Sequence, residues 1–338
     1  MVGPVKLGLR GSAAPGEATP RRRPPPARGA VGAVGALLLA ALLAAGCGQE
    51  ERPDQPERPA RVLVADASGA AAMAALPDGG LRFGDLETGI VRQADARGRV
   101  RPGPIARVKV VAGGQSGLLG LAVDRRDRTF AAWTAPGGRI LVGRVAPGPT
   151  RLVWRGPPSA RLANGGHLAF APDGRLIVGI GDLQQPERVA EKDAPNGKLL
   201  SLSADGPPDQ RPAVVSGGWN NPFAFTFTPA GALWVADNAP GDVPERLAPG
   251  GRPPRPSTFL ELPPMTAPSG VAAISRTELA VCGVRSRRLE RYRLRAGGRP
   301  PLGPEGAPLA TDCLLGVVAL ADGRLAYATD RQIKVLTP

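Results

Sequence analysis

The stretch His167–Gly179, HLAFAPDGRLIVG, sets an apolar run, a tight turn and a second apolar run side by side. The Asp-Gly pair at 173–174 supplies the positive φ that a tight hairpin turn needs, and the flanking residues alternate as strands do. Variants of the unit recur along the chain. Met73–Gly84 (MAALPDGGLRFG), Ala224–Ala236 (AFTFTPAGALWVA) and Val317–Ala328 (VVALADGRLAYA) are clear, and Leu121–Trp133 and Val271–Cys282 are degenerate. An apolar residue follows each turn at a fixed offset: Leu81, Phe130, Leu176, Leu233, Leu279 and Leu325, at intervals of 49, 46, 57, 46 and 46 residues.

Third strands are expected at Ile90–Gln93, Ile140–Val145, Lys198–Leu202, Leu289–Leu294 and Ile333–Leu336, with the short Glu245–Leu247 for the fourth unit. The long interval carries a polar insertion, Leu183–Pro195, that reads as a loop. Six units of three or four strands at this period describe an all-β fold, a six-bladed β-propeller over residues 61–338. The last unit lacks a strand, and Arg61–Ala65 (RVLVA) is placed to supply it and close the ring, which removes exposed sheet edges. A seven-bladed ring or a β-sandwich is the structural alternative.

Upstream of the repeats the chain changes character. Residues 1–30 are basic and proline-rich, and Val31–Ala45 is a 15-residue run without charge, shorter than the roughly 20 residues a spanning helix needs. It ends Leu43-Ala44-Ala45-Gly46-Cys47, which resembles a lipobox, so residues 1–46 read as a lipoprotein signal peptide with Cys47 as the lipidated first residue. A plain secretory signal is the alternative. Residues 47–60, rich in proline and charge, read as an extended tether. The expected location is the extracytoplasmic face of the cell membrane, through a lipid on Cys47.

Removing residues 1–46 takes away six Lys/Arg and one Asp/Glu, which lowers the formal charge from +14 to about +9. The excess is scattered arginine rather than a clustered patch, which argues against nucleic-acid binding; attraction to an anionic leaflet is secondary. With Cys47 assigned to lipid, Cys282 and Cys313 remain in a compartment where disulfides persist, and they are expected to pair; two buried thiols are the alternative. The protein is expected to be a monomer.

Four ordered stretches resemble the glucose/sorbosone dehydrogenase family: Gly117–Asp124 (GLLGLAVD), Asn164–Asp182 (NGGHLAFAPDGRLIVGIGD), Asn196–Gly206 (NGKLLSLSADG) and Gly218–Asp242 (GWNNPFAFTFTPAGALWVADNAPGD). The resemblance implies a six-bladed propeller that holds pyrroloquinoline quinone (PQQ) at its mouth beside Ca²⁺. It also implies a histidine base on the sugar and arginines on the cofactor's carboxylates and carbonyls. Mapped residue by residue, the base position is Ala163. The Arg of the family's Gly-His-Arg-Asn-Pro run is Asn220, within Gly218-Trp219-Asn220-Asn221-Pro222, and two further cofactor arginines fall at Cys313 and Leu315. Arg285 falls near the family's cofactor lysine, and Asp237 and Asp242 fall in the calcium-binding neighbourhood.

His167 is the sole histidine, four residues beyond Ala163, and reads as a strand-edge or pocket-wall residue before a catalytic one. Asp182 reads as a turn-fixing carboxylate, Arg287 and Arg288 as a solvated face, and Trp219 as mouth packing or as a platform for a sugar. Asn164, Trp219, Asn220, Asn221 and Arg285 are the candidate ligand-binding residues, and Asp237 and Asp242 the candidate metal ligands. No nucleophile elbow, phosphate loop or dinucleotide fingerprint accompanies them. The expectation is a tethered propeller degenerate at the quinone site, without a cofactor, that acts as a binding or scaffold protein for a small molecule or sugar. The alternative is a PQQ- and Ca²⁺-dependent aldose dehydrogenase with a rearranged site. A third reading is hydrolysis or another reaction at the same mouth.

Overall fold

The structure, a computed structural model, describes residues 59–240 and 243–338. The expectations for residues 1–46, Cys47 and Asp242 lie outside the described residues.

Six antiparallel sheets follow one another along the chain. Strand β1 (Arg61–Val64) comes first. Blade one is β2 (Ala70–Ala75), β3 (Leu81–Asp85), β4 (Ile90–Ala94) and β5 (Ala106–Arg107). Blade two is β6 (Leu118–Val123), β7 (Thr129–Ala135), β8 (Arg139–Ala146) and β9 (Arg151–Pro158). Blade three is β10 (Gly165–Phe170), β11 (Leu176–Ile180), β12 (Lys198–Leu202) and β13 (Ala213–Gly217). Blade four is β14 (Asn221–Phe227), β15 (Leu233–Asn238), β16 (Arg246–Pro249) and β17 (Leu260–Glu261). Blade five has three strands, β18 (Pro268–Ala273), β19 (Glu278–Gly283) and β20 (Leu289–Arg293), and isolated bridges Leu289–Ala310 and Arg293–Leu302 run along its outer edge. Blade six is β21 (Gly316–Ala319), β22 (Leu325–Ala328) and β23 (Ile333–Leu336), completed by β1.

The predicted closure is therefore observed: β1 pairs antiparallel with β23, Arg61 opposite Val335 and Val64 opposite Ile333. The seven-bladed ring and the sandwich are excluded by the sheet order. In all six units the offset residue after the turn lies at the start of the second strand. Leu81, Phe130, Leu176, Leu279 and Leu325 are fully buried there, and Leu233 is half-buried.

The turns form for a local reason. Gly79, Gly174 and Gly323 have φ of +83°, +86° and +85°, and the preceding Asp accepts from the backbone N–H two residues on. In the degenerate second unit Asp127 takes the positive φ, at +60°, which Asp tolerates better than most side chains.

Small residues on the inner strands let six sheets meet around one axis, and the apolar clusters lie between neighbouring blades. Between blades two and three, for example, Leu119, Phe130, Ile140, Trp154, Leu176 and Val178 pack together. Burying each such side chain contributes about 1.5–3 kcal/mol.

The strand directions define two ends. Inner strands begin at the mouth and run to the opposite end, where the first-to-second-strand turns lie. At the mouth, the register of the inner hairpin slips in blades one to five: between Ala70 and Ala72, Leu118 and Gly120, Gly165 and Leu168, Asn221 and Ala224, and Pro268 and Gly270. Such bulges bend the strand and re-aim side chains.

Candidate functional site

The mouth between blades three and four gathers most of the residues the sequence singled out. Gly165 and Gly166 open β10 with φ of +68° and +97°, and a Cβ on Gly166 would lie 2.4 Å from the Leu119 Cβ. The Asn-Gly-Gly run is thus required by close blade contact.

Asn164 is fully buried. Its Nδ2 donates to the carbonyls of Gln115 (2.9 Å) and Ala160 (2.8 Å), and its Oδ1 accepts from the Ala160 N–H. Asn221 reaches back across the blade interface: its Oδ1 accepts from the Gly165 N–H at 2.9 Å, and its Nδ2 donates to Gln115 Oε1 at 3.3 Å. Gln115 Oε1 also accepts from the Ala163 N–H at 2.6 Å.

Asp237, at the end of β15, is fully buried. One oxygen accepts from the N–H groups of Asn220 and Asn221 (3.1 and 2.8 Å); the other accepts from Asn220 Nδ2 and forms an ion pair with Arg246. Burial raises the Asp237 carboxyl above its ordinary range, and Arg246 and the N–H donors oppose that rise. Burial also raises Asp182, whose Oδ1 caps the Gln184 N–H, and Glu245, whose Oε2 accepts from the Ala267 N–H. Both acids feel the charge on Asp237.

Trp219 lies in the core between blades three and four, 1% exposed, and its indole N–H donates to Ser216 Oγ at 3.0 Å. Ala163 holds a left-handed φ of +56° and presents only a methyl group. Arg285 is exposed, with Nη1 3.7 Å from the Met265 sulfur.

Cys313 and Cys282 form a disulfide, as expected, and both residues are fully buried. Leu315 is half-buried against the apolar cluster between blades six and one.

His167 lies apart from this network. It lines an axial cavity of about 410 Å³ formed by the inner strands, among Met73, Phe225, Val271 and Val317. Its ring stands edge-on to Phe225 at 4.7 Å, and burial lowers its pKa to about 4, so it is neutral at pH 7. None of the other candidate residues lines that cavity.

Three contributors were not legible in advance. Gln115 precedes the GLLGLAVD stretch by two residues and bridges Ala163 to Asn221. Arg246 neutralises Asp237. Lys198, in a quoted stretch but without an assigned role, is buried and donates to the carbonyls of Val189, Glu191 and Asn196, which pins the 183–195 insertion.

No group of three or more His, Cys, Asp and Glu side chains with metal-binding geometry occurs among the described residues. Both Asp237 oxygens are already taken by N–H donors and a guanidinium.

The glucose/sorbosone dehydrogenase family matches residues 68–245, more than half of the chain. No curated protein matches the chain. Among solved structures, the chain is similar to a putative oxidoreductase (glucose dehydrogenase) from Thermus thermophilus. Identity is 25%, TM-score 0.70, and the match covers 82% of this chain and 99% of that one. The PQQ-bound aldose sugar dehydrogenase of Streptomyces coelicolor has the same fold at 22% identity and TM-score 0.68, covering 82% and 96% of the two chains. The soluble aldose sugar dehydrogenase of Escherichia coli shares it at 20% identity and TM-score 0.68, covering 83% and 99%. By its matched residues and its fold, the chain belongs to the glucose/sorbosone dehydrogenase family.

Proposed function

We propose that the chain is a binding or scaffold propeller of this family, tethered to the outer face of the membrane through Cys47 and without quinone chemistry. One observation carries the reading: the polar groups that the resemblance would offer a cofactor at blades three and four are already bonded within the protein. Asn164, Asn220, Asn221 and Asp237 make fold-holding hydrogen bonds.

The residues present do not fit an anionic quinone. Ala163 has no proton acceptor where general-base chemistry requires one. Cys313 and Leu315 carry no charge where cations would face the cofactor's carboxylates, and the Cys313 sulfur is held in a buried disulfide. Calcium fits no better at Asp237, because a carboxylate paired with Arg246 lacks free lone pairs for a hard cation.

A ligand at the mouth would meet other groups. Gln184 and Arg285 are exposed on its rim, with Met265 beside Arg285. A guanidinium beside a thioether, and an amide N–H group elsewhere on the rim, suit a polar small molecule such as a sugar.

The test is calorimetric titration of folded protein with PQQ and Ca²⁺, followed by dye-linked oxidation of an aldose panel. The expected result is neither binding nor turnover. Saturable PQQ binding with aldose turnover would overturn the proposal and assign the chain the activity named for its structural relatives. For the tether, Cys47→Ser is expected to move the protein from the membrane to the soluble fraction.

A further inference from the structure

A charged cleft lies at the end opposite the mouth. It measures about 690 Å³ and sits between blades two and three, walled by their first turns and by the 201–213 segment. Five arginines line it, and their pairing divides them. Arg128 is held by Asp124 and Asp205, and Arg175 by Asp173. Arg125, Arg126 and Arg211 are exposed and pair with no carboxylate among the described residues. Phe170, Leu202 and Ala204 form apolar wall between them.

The cleft does not stand alone. Arg97, Arg252 and Arg276, on other turns of the same end, are also exposed and without a carboxylate partner among the described residues; Asp78, Asp209 and Glu278 are the acids there likewise without a cation. Topology adds a second, independent observation. Arg61 pairs with Val335 near the end of the last strand, so the chain enters the ring from this same end. The roughly 12 residues between Cys47 and the first described residue span at most about 40 Å when extended.

We infer that the turn end is a membrane-docking face, with phosphodiester headgroups of anionic lipid entering the cleft beside Arg125, Arg126 and Arg211. The mouth then faces away from the bilayer, open to solutes. A phosphate offers the charge and the paired oxygens that guanidinium groups bind best. Basic residues near an anionic surface contribute additively, within about one Debye length. The nearness of the bilayer rests on Cys47 as the anchor; the headgroup affinity does not.

The test uses the chain from residue 47 onward with Cys47→Ser, so that no lipid contributes. Sedimentation is measured with vesicles of phosphatidylcholine alone and of phosphatidylcholine with phosphatidylglycerol. Binding is expected only to the second, with loss at about 0.5 M NaCl. Arg125→Glu/Arg126→Glu/Arg211→Glu is expected to weaken it by at least about tenfold without a change in melting temperature. Arg161, Arg287 and Arg331 are exposed on loops at the mouth, and the matched triple Arg161→Glu/Arg287→Glu/Arg331→Glu is expected to retain it. The inference is overturned by absence of phosphatidylglycerol-dependent binding, by equal loss in the two triples, or by displacement with millimolar inorganic phosphate, which marks a soluble-anion site. Mass analysis of Cys47 in the natural protein reports on anchoring separately.

Discussion

Two parts of the mouth are held together in different ways. Between blades three and four the polar residues remain, but they are turned inward: Asn164, Asn221 and Gln115 tie neighbouring blades together, and Asp237 closes on Arg246. Between blades five and six the Cys282–Cys313 disulfide joins β19 to the segment that leads into β21. The first set is needed by the fold whether or not a cofactor binds, because each buried amide and carboxylate satisfies backbone groups. In the second region a covalent cross-link ties the segments instead. A stretch shared with the family can therefore be required by the blades themselves, through the atoms that hold them.

The comparison is sharpest if both regions depend on a closed ring, which β1 provides. Deleting residues 60–66 is expected to have the largest effect, with loss of most of the stability and of cooperative thermal unfolding, measured by calorimetry. Arg246→Ala comes next. It leaves the Asp237 carboxylate buried and unpaired, and urea unfolding is expected to show a loss of about 3–5 kcal/mol. An effect below that of an ordinary surface mutation would break the contrast between the two regions.

The double substitution Cys282→Ser/Cys313→Ser opens a loop of sequence separation 31, and a loss of about 2–4 kcal/mol is expected. It is predicted to leave the blade three and four network intact, so its effect and that of Arg246→Ala should add. The smallest expected effect concerns His167. Its folded pKa is lowered to about 4 from 6.5, so between those values the unfolded state binds more protons. Stability from this group is complete above about pH 6.5 and is lost as pH falls towards 4. His167→Phe is predicted to remove that part of the pH dependence, measured as melting temperature against pH.

Much of the fold was legible because its signals are local. The Asp-Gly turns, the offset apolar residues and the third strands recur within one blade's length, and RVLVA at 61–65 was marked by the strand missing from the last unit. Blade five was harder to read, because bridges at Ala310 and Leu302 stand in for its fourth strand. The site was less legible than the fold. Motif comparison located Asn164, Asn220, Asn221 and Asp237, but their bonding depends on partners far away in sequence. Gln115 and Asn221 are 106 positions apart, and nothing in either segment signals the pairing. The fate of Cys313 could be read, since it needed only the count of cysteines and the expected compartment.

The most direct test of the central claim is a crystal of this protein soaked with PQQ and Ca²⁺. The account predicts an unchanged mouth, with Asp237 still paired to Arg246 and no quinone bound between blades three and six. A quinone seated at the mouth against Arg285, with Asp237 released from Arg246 to a calcium ion, would contradict it.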